Sequence, residues 1–98
     1  MICTAGIWTV KEGREEEFSR RWEESVDALV LDYPDLTFRL LRDRKNPRRF
    51  LSLGDGWRTM EQVEEVQSLP SFQDSQAAIW RVLESGETST LELAVEVS

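Results

Sequence analysis

Residues 2–10, Ile-Cys-Thr-Ala-Gly-Ile-Trp-Thr-Val, are rich in β-branched and aromatic side chains and predict a strand. Alternation puts Ile2, Thr4, Gly6, Trp8 and Val10 on one face and Cys3, Ala5, Ile7 and Thr9 on the other. Neither face is charged, as expected of a central strand covered on both sides. Lys11-Glu12-Gly13 then reads as a turn. Phe18, Trp22, Val26 and Leu29 recur at helical spacing up to about Leu31. Glu15, Glu16 and Glu17 crowd the first turn of that helix, where its dipole favours negative charge. Tyr33-Pro34-Asp35 ends it, because the residue before a proline avoids the α region.

Two strands follow, over residues 36–42 and 50–57. Residues 43–48, with their Asn46-Pro47 step, make a connection short enough to dictate an antiparallel hairpin. Thr59 and Gln62 have the spacing of a capping box, opening a helix with Met60, Val63 and Val66 as its apolar stripe. Ser68-Leu69-Pro70-Ser71 interrupts it, and Ser71 is expected to cap a further helical stretch carrying Phe72, Gln76, Ile79 and Leu83, closed by Gly86 at its C-terminal end. Residues 91–97 alternate apolar and polar side chains and predict the last strand.

The order β-α-β-β-α-β predicts an α+β, ferredoxin-like fold: a four-stranded antiparallel sheet with the helices on one face. Residues 1–98 suffice for one domain. A chain this short buries only about 60–65% of its unfolded surface. Covering the bare, uncharged sheet face with a second copy of the chain is the simplest remedy, so a homodimer through that face is expected.

Composition narrows the chemistry. The net charge of −7 opposes nucleic acid and anionic membrane surfaces as partners. The N-terminus has neither a basic segment nor a long apolar run, so no signal peptide or membrane span is expected. A single cysteine, Cys3, rules out an internal disulfide and fits a cytoplasmic location. The chain has no histidine, which removes His-based metal sites, Ser-His and Cys-His pairs and proximal-His haem ligation. No metal site, phosphate loop or catalytic triad is visible.

Several segments together carry a family resemblance. Lys-Glu-Gly-Arg-Glu-Glu-Glu-Phe (11–18) opens a helix bearing Trp22, and Arg-Asp (42–43) precedes Asn-Pro-Arg-Arg-Phe (46–50). Gly-Trp-Arg-Thr (56–59) ends a strand, and Ser-Leu-Pro-Ser-Phe (68–72) lies in the second helical region. In this order and spacing, over nearly the whole chain, the sequence resembles the antibiotic-biosynthesis monooxygenase-like group of the dimeric α/β-barrel superfamily. The resemblance implies a homodimer with a hydrophobic pocket between sheet and helices in each subunit. Trp57, Trp22, Phe18, Phe72 and Val66 would form the pocket walls; the other reading of Trp57, Trp22 and Phe18 is plain core packing. The implied activity is that of a monooxygenase-like protein working without cofactor on a small hydrophobic or aromatic molecule. The alternative is a non-catalytic binding or structural dimeric module of the same fold. Three positions depart from the family pattern: Gly6 stands where its oxygenases carry asparagine, Val66 where they carry tryptophan, and Gln76 where haem-degrading members carry histidine. A haem-degrading role is therefore not expected.

The candidate catalytic groups are Asp55, Arg39, Arg42 and Tyr33. Asp55 would share a face with Leu53 and Trp57, and burial beside them would raise its pKa; the other reading is a solvated turn residue. Arg39 and Arg42 lie on opposite faces of one strand, so at most one points into a given pocket. They belong to a basic set with Arg44, Lys45, Arg48 and Arg49 that either docks an anionic ligand or forms a solvated, locally paired hairpin. Tyr33 reads as a proton donor at a pocket mouth or as part of the helix end. Trp8 and Trp80 read as interface or core residues.

Overall fold

A computed structural model describes all 98 residues. The chain forms β1 (Ile2–Val10), α1 (Glu15–Asp32), β2 (Thr37–Arg42), β3 (Arg49–Trp57), α2 (Met60–Ser68), α3 (Pro70–Trp80) and β4 (Leu83–Glu92). The strands make one sheet in the order β2-β3-β1-β4, every neighbouring pair antiparallel. The helices cover one face of it, giving the expected ferredoxin-like architecture with its second helical region split at Leu69.

Thr59 caps α2 as expected, but the return bond from Gln62 goes to the Arg58 amide instead of the Thr59 amide, so the capping box is displaced by one residue. Thr59 Oγ1 accepts from the Gln62 amide at 3.1 Å, and Gln62 Oε1 accepts from the Arg58 amide at 2.8 Å. Ser71 does not cap the next helix. Pro70 occupies the first turn of α3, where its missing N–H costs nothing, so Ser71 lies inside the helix.

The C-terminal third departs most from expectation. Leu83 opens β4 instead of extending a helix, and the strand runs through Gly86 to Glu92. Two contacts fix this. Val82 and Leu83 are buried in the core, and the Lys11 amide donates to Val82 O at 2.9 Å. Gly86 then pairs with Trp8 and lies beneath its indole. The alternating run 91–97 extends past the sheet because β1 runs out: Glu92 pairs with Ile2, and beyond it the Leu93 amide reaches only Met1 O.

A β-bulge decides which residues face the helices. Thr4 pairs with Gly54 and Ile2 with Trp57, so two residues of β3, Asp55 and Gly56, stand opposite Cys3 alone. Gly56 takes a φ of +90°, open to glycine at little cost. The extra residue reverses the alternation, and Trp57 turns to the helical side while Asp55 stays on the outer face. Simple alternation implies one face for Asp55, Leu53 and Trp57; the bulge leaves Asp55 with Leu53 on the outer face and puts Trp57 on the other.

The buried side chains form two clusters under the helices. One gathers Trp8, Val10, Phe18, Phe50, Ile79, Val82 and Leu83. The other gathers Leu29, Leu36, Trp57, Val63 and Val66. At the β2–β3 hairpin, Asp43 Oδ1 accepts from the Lys45 amide at 2.8 Å and the Asn46 amide at 3.2 Å, and Asp43 pairs with Arg49 at 3.3 Å. The two amides, with Arg49 adding to them, hold its carboxyl below the usual carboxylate range.

Two outcomes follow from these local structures. Gly13→Ala and Gly56→Ala both place alanine at positive φ, but a Cβ on Gly13 meets nothing within 4 Å, whereas one on Gly56 overlaps the Asp35 carbonyl. Chemical denaturation should show a loss of about 1 kcal/mol for Gly13→Ala and about 3 kcal/mol for Gly56→Ala. At the hairpin, a lowered native pKa stabilises the fold above the unfolded value and loses that contribution as pH falls through the native one. The Lys45 and Asn46 amide resonances should therefore move together in an NMR titration below pH 3.8, and Asp43→Asn should abolish that transition.

Candidate functional site

Between the two clusters lies a cavity of about 170 Å³. Thr4, Ser52 and Gly54 of the central strands and Thr88 and Thr90 of β4 make its floor. Trp22, Ser25, Val26 and Leu29 of α1 reach it from above. Val63 and Val66 of α2 and Phe72, Gln76 and Ile79 of α3 close the remaining side.

Two tryptophans bracket the floor. Trp57, carried inward by the bulge, donates Nε1–H to Thr4 Oγ1 at 3.2 Å and meets Phe38 edge-on, with ring centroids 6.3 Å apart. Trp8, on the central strand, donates Nε1–H to Ser52 Oγ at 2.9 Å. Its ring is tilted against Phe18 at 6.4 Å and edge-on to Trp80 at 5.8 Å. Both indole N–H groups thus end on hydroxyls of the sheet, as buried indoles require.

The cavity is lined by 21 residues, 12 of them hydrophobic, and the other nine are Ser, Thr, Gln and Gly. Every lining side chain is therefore neutral. Trp57, Trp22, Phe72 and Val66 are among them. Phe18 is not: it is fully buried in the first cluster, against Phe50 and Trp8.

None of the four candidate catalytic groups lines the cavity. Asp55 and Arg39 lie on the outer face of the sheet, Asp55 because of the bulge and Arg39 because its pairing partner is Leu53. Arg42 is on the helical side but at the hairpin end, where it donates to Pro47 O at 2.7 Å and covers the Phe50 ring at 5.4 Å. Tyr33 follows α1 and donates its hydroxyl hydrogen to Glu65 at 3.4 Å. Partial burial pushes its phenol up, and the Glu65 carboxylate adds to the shift. Elsewhere in the basic set, Arg48 donates to Val10 O at 2.9 Å and pairs with Glu84. Much of the set is thus tied into the hairpin and its neighbours.

Gln76 presents a carboxamide to the cavity, which is no axial ligand for haem iron. No three Cys, Asp or Glu side chains converge as a metal site would need, and no helix is long and apolar enough to cross a membrane. Sequence reasoning missed Trp8, Thr4, Ser52, Thr88 and Thr90 as lining groups. The signal for Trp8 was a glycine two positions before it on the same strand face. The β4 threonines sit in a stretch too polar to announce a strand.

Solved structures match this fold over almost its full length. SnoaB from Streptomyces nogalater, a cofactor-independent oxygenase, superposes with a TM-score of 0.84 at 16% identity, over 98% of this chain and 95% of its own. A conserved protein from Methanosarcina mazei gives 0.80 at 14% identity, over 92% and 89%. A Bordetella bronchiseptica protein named for the antibiotic biosynthesis monooxygenases gives 0.77 at 19%, over 96% and 97%. At such identities the likeness concerns the fold. No curated protein matches the sequence. The sequence model of one family does match, over residues 1–78, and the chain belongs to that family, the antibiotic biosynthesis monooxygenases.

Proposed function

We propose that the protein is a cytoplasmic oxygenase that uses dioxygen, without metal or organic cofactor, on a small uncharged phenol held in the cavity. The observation that carries this reading is an aromatic, wholly neutral cavity in a member of this family. A phenol with hydrogen on the carbon para to its hydroxyl can supply all the electrons itself. Once ionised, its para carbon attacks dioxygen and a C–O bond forms. The C–H and O–O bonds then break. One oxygen stays as a quinone carbonyl and the other leaves as water. The substrate loses four electrons and dioxygen gains four, so no external reductant is needed.

The chain's own residues would position and shelter the ring. Trp8 and Trp57 flank it, the aliphatic side chains of α1 and α2 exclude water, and the Gln76 carboxamide can donate to the phenolate oxygen. With every lining group neutral, the phenolic proton goes to water at the cavity mouth. A second reading, a binding module without turnover, draws on the same neutral lining, because no acid or base is present to drive chemistry.

We also propose that two copies pair through the outer sheet face. Ile7, Leu41, Leu53 and Leu91 are there, each between 37% and 48% exposed. Arg39 lies on the β2 edge of this face and Glu87 on the β4 edge. A two-fold axis running along the strands would lay each β2 over the other copy's β4, bringing unlike charges across the interface.

An oxygen electrode tests the first proposal. One- and two-ring phenols should be consumed with one dioxygen each, above the protein-free rate, and the rate should rise with pH at a midpoint that moves with the phenol's own pKa. No uptake, together with saturable tryptophan quenching by the same phenols, would select the binding module. A midpoint independent of the phenol would mean that a protein base takes part. Sedimentation tests the second. The wild type should be dimeric at micromolar concentration, Arg39→Glu should weaken the dimer about ten-fold, and adding Glu87→Arg should restore it.

A further inference from the structure

We infer that Trp8 fixes the size of the ligand, limiting it to about two fused aromatic rings; this rests on the reading of the cavity as the binding site. The indole is 4% exposed and forms the boundary between the cavity and the first core cluster. It is held from several directions. A Cβ on Gly6 would overlap its Cζ2 atom, and one on Gly86 would come within 2.6 Å of its Cε3 atom, so the ring lies directly on two bare stretches of backbone. Its Nε1–H is tied to Ser52, and Phe18 and Trp80 press on it. A ring seated on backbone and hydrogen-bonded at its far edge does not swing aside for a longer ligand.

The space it leaves is small. At the packing density of about 0.74 found in protein interiors, 170 Å³ accommodates a molecule of about 130 Å³, close to two fused rings. An apolar cavity of about 150 Å³ that holds a single benzene is filled less densely than that, so two rings is the upper limit here. Toward the first core cluster, a third fused ring would need the volume that the Trp8 indole fills. Position 6 is glycine, and the Trp8 ring lies over it. The wall is thus built from a paired choice of residues, bulk at 8 and none at 6.

Tryptophan quenching by phenol, 1-naphthol and 9-phenanthrol, carried out on the intact protein, tests this. The wild type should bind 1-naphthol tightest and 9-phenanthrol at least about ten-fold more weakly. Trp8→Phe, with folding checked by circular dichroism, should bring 9-phenanthrol to the affinity of 1-naphthol or beyond. Gly86→Ala acts in the opposite sense: its new Cβ lifts the indole into the cavity, so 1-naphthol should be lost while phenol is kept. This second variant decides the matter should Trp8→Phe not fold. Equal binding of two- and three-ring phenols by the wild type, or an unchanged size ranking in the folded variants, overturns the role of Trp8 and leaves the binding site standing. Failure of all three phenols to bind the wild type overturns the site itself.

Discussion

The indole of Trp8 lies on bare backbone, and much of the interior is arranged around that contact. A side chain at position 6 or 86 would collide with it, so two neighbouring strands must pass beneath the ring as glycine. A third strand must offer a hydrogen-bond acceptor at its far edge, which Ser52 does. These demands fall on β1, β4 and β3 together, so the ring ties three strands to one another through side-chain packing as well as backbone pairing. The ring also separates the two core clusters, and the hollow between them is what remains once it is in place.

The opposite wall depends on a different device. Strict alternation would have sent Trp57 outward, away from the helices. The extra residue at Asp55–Gly56 reverses the parity and delivers a second indole to the same hollow. Each indole N–H ends on a hydroxyl of the floor, Thr4 or Ser52. A hydroxyl has one donor and two acceptor positions, and the indole occupies only an acceptor. Both hydroxyl hydrogens therefore remain free to point at an oxygen of whatever sits between the two rings. Apolar walls thus come with hydroxyl donors at the base, a combination that favours a flat molecule with an oxygen at its rim.

Elements built on a single period were legible in the sequence. The stripe Phe18, Trp22, Val26 and Leu29 and the hairpin around Asn46-Pro47 translated directly into α1 and the β2–β3 pair. Elements whose side chains serve the interior in another way were not. In β4 the run Ser-Gly-Glu-Thr-Ser-Thr looks like a loop because its inward positions are a glycine making room for Trp8 and two threonines lining the cavity. The alternating residues after it look like the better strand, yet β1 ends once Leu91 and Glu92 have paired, and the rest run on without a partner strand. The bulge cost the reading of Asp55 for the same kind of reason: a two-residue period carries no mark of the one place where it slips. The catalytic candidates fall outside the hollow, Asp55 and Arg39 on the outer sheet face and Arg42 and Tyr33 at the ends of β2 and α1.

The charge distribution bears on how a ligand would be handled. The chain carries 12 basic and 19 acidic side chains, and none of them lines the cavity. The net field of −7 repels an anion approaching from solvent, so an ionisable ligand enters most readily in its neutral form. Inside, burial without a paired cation penalises an anion, and only neutral donors such as Gln76 and the floor hydroxyls offset that cost. A phenolate in this setting is less stabilised than in water and correspondingly more ready to give up electrons. A neutral cavity in a negatively charged protein is thus suited to admitting a molecule uncharged and making its ionised form reactive, with tryptophan walls, and no charged side chain, holding the ring in place.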